Sequence, residues 1–69
     1  MTGKIVFRQY SDFTQTRDIC FHWKISCTIS NDMTAFPWIY FLDETDLDIM
    51  WSWMLKKGMD VYCVRNYSL

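Results

Sequence analysis

Glycine and proline are scarce in this chain of 69 residues, which has two glycines and one proline. Two isolated glycines cannot build the glycine-rich loop that cradles a phosphate group, so the common nucleotide-binding motifs are excluded. Alanine is nearly absent as well, whereas Ile, Phe, Tyr and Met are plentiful. Such a bias is typical of AT-rich coding DNA, including that of many bacterial viruses. The length leaves room for a single domain, residues 1–69.

Long apolar runs are also missing, and no segment approaches the roughly 18 residues that a membrane span needs. The N-terminus, Met1–Lys4, has no apolar core of a secretion signal. The three cysteines form an odd count without a CxxC pair, so free thiols in a reducing compartment are expected. We therefore expect a cytoplasmic protein with no membrane partner, located in the host cytoplasm if it is viral. The cysteines are Cys20, Cys27 and Cys63.

Neither sign of charge dominates, since seven Lys and Arg against eight Asp and Glu give a net charge of −1. Nucleic-acid binders and acidic DNA mimics both need a large field of one sign, so the balance argues against nucleic acid as a partner. Aromatic residues, in contrast, make up 19% of the chain. A chain of this size buries only about 60% of its unfolded surface, so surplus aromatic side chains should face a partner or another copy.

A strict alternation predicts the main strand at Ile19–Ile29. Every odd position there is apolar and the even positions are mostly polar, which is the pattern of a strand with one wet face. Residues 11–18 are predicted to form the turn before this strand, and Ser30–Asp32 the turn after it. Pro37 cannot donate to a ladder, so its strand lies at an edge or begins there. The other predicted strands are Lys4–Tyr10, Phe36–Leu42 and Met59–Arg65.

One helix is predicted, over Asp43–Lys57. Either Asp43 or Thr45 can cap its first turn, because both side chains can accept hydrogen bonds from free backbone N–H groups. Carboxylates crowd its first turns and two lysines its last turn, which is the arrangement that the helix dipole favours. Gly58 follows at the position where helices commonly end in a left-handed residue.

The order of elements is therefore βββαβ. It predicts an α+β fold, a mostly antiparallel four-stranded sheet with one helix packed on one face and no internal repeat. The spatial order 3-2-1-4 is expected, with the fourth strand beside the third as the alternative. A single helix covers one face of the sheet, so the other face should be aromatic and apolar around the polar side of Ile19–Ile29. A homodimer through this uncovered face is expected, or binding of a partner on it.

The candidate binding residues lie on the helix and on the uncovered face. Trp53 falls on the flank of the helix's apolar stripe, where it is either an exposed anchor or the rim of the core. The carboxylates at the helix start either contact a basic partner or only match the helix dipole. The candidate partner-binding residues are Asp43, Glu44, Asp46, Trp53, His22, Lys24 and Tyr62.

Catalytic chemistry finds little support. Cys20 and His22 share a face of the predicted strand, but a metal site needs two more ligands, and a thiol nucleophile needs a positioned base, an oxyanion hole and a pocket. The carboxylates of the helix start lack the spacing of a calcium-binding loop. We therefore expect no metal, no cofactor and no catalytic residues, that is, a protein that is not an enzyme.

The expected function is that of a small protein-binding module. In composition the chain resembles the small accessory proteins of bacterial viruses, and that resemblance implies inhibition of a host enzyme or host-defence system by steric occlusion. The alternative is a module for single-stranded nucleic acid that stacks bases on aromatics of the open sheet face. Phosphate contacts would then come from Lys4, Arg8, Lys24 and Arg65.

Overall fold

Two βαβ units follow one another along the chain. The computed structural model describes residues 2–30 and 36–66, and these form an α+β domain with a four-stranded antiparallel sheet and two helices. The first unit consists of β1 (Thr2–Phe7), α1 (Tyr10–His22) and β2 (Cys27–Ile29). The second consists of β3 (Trp38–Phe41), α2 (Glu44–Lys56) and β4 (Val61–Asn66).

The strands lie in the order β2-β3-β1-β4, and every neighbouring pair is antiparallel. In each unit, one strand of the other unit lies between the two strands, and this is the split βαβ arrangement. The central pair is β1 with β3, where Ile5 lies opposite Ile39. The first strand of each unit therefore lies in the middle of the sheet, and the second strand of each unit lies at an edge.

The core lies on one side of the sheet, beneath both helices. Alternate residues of the two central strands point to that side because side chains of a strand alternate between its faces. Each helix adds three buried side chains at the spacing i, i+3 and i+7, which lie on one face of a helix. The strands contribute Ile5, Phe7, Ile39 and Phe41, α1 contributes Phe13, Thr16 and Cys20, and α2 contributes Leu47, Met50 and Met54.

The strand predicted at Ile19–Ile29 is wrong over most of its length, and so is the prediction of a single helix. The first residues of that stretch belong to α1, and only Cys27–Ile29 is a strand. The expected turn at 11–18 is the body of the same helix. The buried side of α1 includes Thr16 and Cys20, which are not strongly apolar, so the apolar residues of this segment show only a weak helical period. The alternation of apolar and polar residues over Ile19–Ile29 is stronger but arises by chance.

The predicted strand order is also wrong, since β3 lies inside the sheet and β2 at its edge. The last strand does pair with the first, as expected. Pro37 immediately precedes β3, so its missing N–H leaves no gap in the hydrogen bonds of the sheet. Its carbonyl oxygen accepts a hydrogen bond from the N–H of Phe7 at 2.9 Å. The turn expected at Ser30–Asp32 lies outside the described residues from position 31 onward.

The predicted helix at Asp43–Lys57 is confirmed, with α2 one residue shorter at each end. The Asp43 side chain caps it, and Gly58 ends it with a φ of 73°. Within the described part of the chain, neither helix combines the length and the apolarity that crossing a membrane would require.

The expectation of no internal repeat needs a correction at the level of structure. Equivalent positions of the two units are 34 residues apart, as Phe7 and Phe41 are, and the strand registers obey the same relation. Thus Cys27 lies opposite Phe41, and Phe7 lies opposite Val61. The sequence hides this repeat because few of the paired positions carry the same residue.

Candidate functional site

A groove runs between the end of α1 and the first turns of α2. It has a volume of about 360 Å³, and we call it the interhelical groove. Its lining is apolar apart from one carboxylate. The lining residues are Ile19, Trp23, Ile25, Asp46, Ile49, Met50 and Trp53.

One wall of the groove comes from α2. Its four lining residues follow the spacing i, i+3, i+4 and i+7, so they lie on one face of the helix. Met50 is buried in the floor, whereas Ile49 is 60% exposed. Trp53 is half-buried and packs against the core. The exposure of this wall therefore increases from the buried Met50 in the floor to the exposed Ile49 at the rim.

The other wall depends on how α1 ends. Lys24 takes a left-handed conformation with a φ of 56°, and its N–H donates to the Phe21 carbonyl oxygen at 3.2 Å. The N–H of Ile25 donates to the Cys20 carbonyl oxygen at 2.9 Å. This paired hydrogen bonding is the Schellman motif. It folds Ile25 back against the core and leaves Trp23 on the rim, 70% exposed.

Charge is distributed unevenly along the groove. The half-buried Asp46 lies at the end formed by the start of α2, next to Asp43, whose carboxylate accepts hydrogen bonds from the N–H groups of Thr45 at 2.7 Å and Asp46 at 3.4 Å. The Lys57 ammonium lies 5.7 Å from the centre of the Trp53 ring but does not line the groove. The groove is thus an apolar slot with an acidic end.

The interhelical groove brings together two of the residues singled out from the sequence, Asp46 and Trp53. The exposed Glu44 begins α2 close to them in the chain. The prediction that His22 and Lys24 lie on the sheet is wrong. His22 is the last residue of α1 and Lys24 follows in the turn after it, because the strand begins only at Cys27. The exposed His22 ring meets the Trp23 ring edge-on at 5.1 Å.

A second surface lies on the side of the sheet away from the helices, where Tyr62 is found. We call it the open face. Its side chains alternate with those of the core, as the strand registers require. The expected aromatic character is present, but the polar residues expected from Ile19–Ile29 are absent from it except Thr28. The open face consists of Thr2, Lys4, Val6, Thr28, Trp38, Tyr40, Tyr62 and Val64.

The cysteines are free, and their thiols are held protonated. Burial, together with a smaller contribution from the neighbouring Cys27, raises the pKa of Cys20 to about 12. Burial also raises the pKa of Cys27 and of Cys63. Because only the thiolate is a strong nucleophile or metal ligand, these thiols react poorly at neutral pH. Cys20 is buried under α1 and the exposed His22 points elsewhere, so the pair does not share a face.

Across residues 2–30 and 36–66, no three side chains of His, Cys, Asp or Glu come close enough together to hold a metal ion. No protein-family model, no curated protein and no solved structure matches this chain. The two surfaces therefore have to be interpreted from their own chemistry.

Trp23 and Ile49 are the two exposed residues of the groove, and the sequence assigned neither of them to a binding site. Trp23 was counted on the buried side of a strand, so its exposure was missed. Ile49 and Trp53 form an i, i+4 apolar pair on the flank of the α2 stripe, and this spacing is the sequence signal that identifies Ile49.

Proposed function

We propose that this protein is a small non-enzymatic binding module that docks on a larger protein through the interhelical groove and occludes the surface that it covers. The observation that supports this most directly is the exposure of Trp23 and Ile49 on the two rims of one groove. Large apolar side chains that stay in water beside a preformed slot are the usual anchors of protein interfaces. The protonated state of the buried thiols fits a role without covalent chemistry.

The chemistry of the groove defines what it takes. Its apolar lining, floored by Met50, suits one large apolar side chain of the partner. Asp46 at one end suits a lysine or arginine next to that side chain, and the neighbouring carboxylates of Asp43 and Glu44 extend the attraction. We therefore propose a basic, apolar docking segment on the target. That the target belongs to the host of a bacterial virus stays a prediction from composition.

A display library of protein fragments from a bacterial genome tests the proposal. Fragments are selected on the immobilised wild-type protein and counter-selected on the Trp23→Ala variant. The expected result is enrichment of segments with a large apolar residue next to Lys or Arg. Truncation of an interface anchor typically weakens binding by tenfold or more, so Ile49→Ala should reduce the affinity of a selected fragment by about that factor.

Tyr62→Ala supplies the matched control, because Tyr62 is a partly exposed aromatic residue on the open face, across the sheet from the groove. Its affinity for a selected fragment should equal that of the wild type. The proposal fails if the library yields no fragment that distinguishes the wild type from Trp23→Ala. It fails equally if Tyr62→Ala weakens every selected fragment as much as Ile49→Ala does.

A further inference from the structure

Most acidic residues of the described chain lie on the helix side of the sheet, although they are interspersed with basic residues along the sequence. The open face carries no carboxylate at any of its strand positions, although the whole chain has a net charge of −1. Six of the carboxylates in the described chain lie on or beside the two helices, on the other side of the sheet. Lys4 lies on the open face and Arg8 extends over it from the end of β1. The net charge of the whole chain therefore does not describe the charge of this surface.

Both of these cations lie over aromatic rings. The Lys4 ammonium is 5.1 Å from the centre of the Trp38 ring, and the Arg8 guanidinium is 5.4 Å from the centre of the Tyr62 ring. Arg8 also forms an exposed ion pair with Asp60 at 3.5 Å. Each aromatic platform thus has a positive charge at its surface, which is the combination that binds a flat ring joined to an anion.

The aromatic rings of the open face are too far apart for two of them to contact the same base. Trp38 and Tyr62 lie on either side of Val6 in one row across the sheet, so their strands are about 10 Å apart. Tyr40 follows two residues after Trp38, about 7 Å along the strand, and its hydroxyl hydrogen-bonds with the Thr2 hydroxyl. Bases stacked in a helix are only about 3.4 Å apart. The rings would therefore each take one base of an extended single strand.

Beside these rings lies a shallow groove of about 460 Å³, lined by Lys4, Trp38, Tyr40 and Val64 among others. Arg65 lies at its rim and is paired with Asp48 at 2.6 Å. The groove gives a phosphate backbone a path along the aromatic row, next to the Lys4 ammonium.

A second copy of the chain fits this surface poorly. A two-fold dimer places the same patch of each copy against the other. Lys4 and Arg8 of one copy would then approach the same two residues of its partner, and Asp60, which is paired with Arg8, offsets only one of the two positive charges in each copy. An anionic occupant removes this repulsion, and it is the occupant that the charges favour.

We infer that the open face binds single-stranded nucleic acid, by stacking bases on Trp38, Tyr40 and Tyr62 while Lys4 and Arg8 contact the phosphates. This inference is independent of the groove on the helix side. A base that stacks on Trp38 displaces the Lys4 side chain from the ring. The released ammonium then lies within reach of the adjoining phosphate, so one lysine protects the ring in the free protein and holds the backbone in the complex.

Fluorescence anisotropy with labelled octamers of uridine and of thymidine tests the inference in the intact protein. Binding should weaken as salt rises from about 50 to 200 mM, with a log–log slope near −1.4 because about 0.7 counterions are released per phosphate contacted. Lys4→Gln should reduce the slope by about 0.7. Trp38→Leu should lower the affinity by about tenfold, since it removes one stacking platform but keeps an apolar side chain. Comparison of the two octamers shows whether the 2′-hydroxyl of RNA is recognised.

Phe21→Ala is the control, because it removes an exposed aromatic side chain from the helix side and should leave both affinity and slope unchanged. Polyphosphate, which has the charges without the bases, should compete weakly. The inference is overturned if the wild type binds neither octamer at low salt, or if polyphosphate competes as well as the octamers. It is also overturned if sedimentation shows a dimer that Lys4→Gln strengthens and that excludes the octamers.

Discussion

The two βαβ units place equivalent residues in equivalent positions, yet only the second unit carries strong local signals for its structure. Both helices have 13 residues, and both end in the same paired hydrogen bonds. The N-cap of α2 is Asp43, which accepts two backbone hydrogen bonds, whereas the N-cap of α1 is Gln9, which accepts none through its side chain. The left-handed residue after α2 is Gly58, whereas after α1 it is Lys24.

The buried stripes differ in the same direction. The three buried positions of α2 hold Leu and Met, and the equivalent positions of α1 hold one aromatic residue followed by Thr16 and Cys20. Thr16 satisfies its hydroxyl by donating to the Asp12 carbonyl oxygen at 2.9 Å. Packing on the sheet therefore stabilises α1 as a helix, whereas α2 is stabilised by its own local sequence as well.

The largest expected effect tests how α1 is attached. Phe13 is the large core residue of α1, and its ring meets the Phe7 ring edge-on at 5.7 Å. Phe13→Ala should lower the free energy of unfolding by about 3–5 kcal/mol, and Leu47→Ala at the equivalent position of α2 by about 2–5 kcal/mol. Urea denaturation followed by circular dichroism measures both.

A chain of 69 residues has a total stability of only about 3–10 kcal/mol, so Phe13→Ala could leave no folded protein to measure. Phe13→Leu is the milder variant, with an expected loss of about 1 kcal/mol. Tyr10→Ala is the control, because Tyr10 is an exposed residue of the same helix that also touches the Phe13 ring. If neither variant of Phe13 costs more than Tyr10→Ala, α1 is not anchored as described.

The sequence predicted the second unit well because its signals are local. The cap at Asp43, the lysines of the last turn and Gly58 all act within one helix, and they agree with one another. The helix of the first unit depends on contacts distant in sequence, such as that between the Thr16 hydroxyl and the Met59 sulfur at 3.6 Å, and a local pattern does not show them. Position 23 contributed to a false alternation, although its side chain belongs to the end of a helix.

The candidate sites follow the same division. Asp46 and Trp53 could be chosen from the sequence because they lie on the well-specified helix. Trp23 could not, because its exposure depends on how α1 ends. The charge of the open face is hidden in the sequence for another reason, because the separation of Lys4 from the carboxylates exists only once the sheet has formed.

The second prediction concerns the two N-caps. Asp43→Ala removes the acceptor for the N–H groups of Thr45 and Asp46, so it should lower the free energy of unfolding by about 1 kcal/mol. Gln9→Ala, at the equivalent position before α1, removes no capping hydrogen bond and should change stability by less than about 0.5 kcal/mol. Thermal or urea unfolding of the two variants measures the difference, and equal losses would show that the two helix starts are equivalent after all. Asp43→Asn keeps the acceptor and should recover most of the lost stability.

The smallest expected effects have opposite signs, which makes them the sharpest comparison of the two units. Gly58 and Lys24 occupy the same left-handed position, with φ angles of 73° and 56°. A Cβ at Gly58 would meet no atom within 4 Å, so Gly58→Ala carries a conformational cost alone and should lower stability by about 1 kcal/mol. Lys24→Gly relieves the same conformation and should raise stability by about 0.5 kcal/mol, after the entropy of the unfolded glycine is subtracted.

Lys24→Ala separates backbone conformation from charge, because it removes the ammonium but keeps the Cβ. Its stability should stay within about 0.5 kcal/mol of the wild type. A gain in Lys24→Ala equal to that in Lys24→Gly would assign the effect to the charge near the end of α1 and not to the backbone. If instead Lys24→Gly lowers stability as Gly58→Ala does, the lysine stabilises the end of α1 by contacts of its own, and the first unit is more locally specified than its sequence indicates.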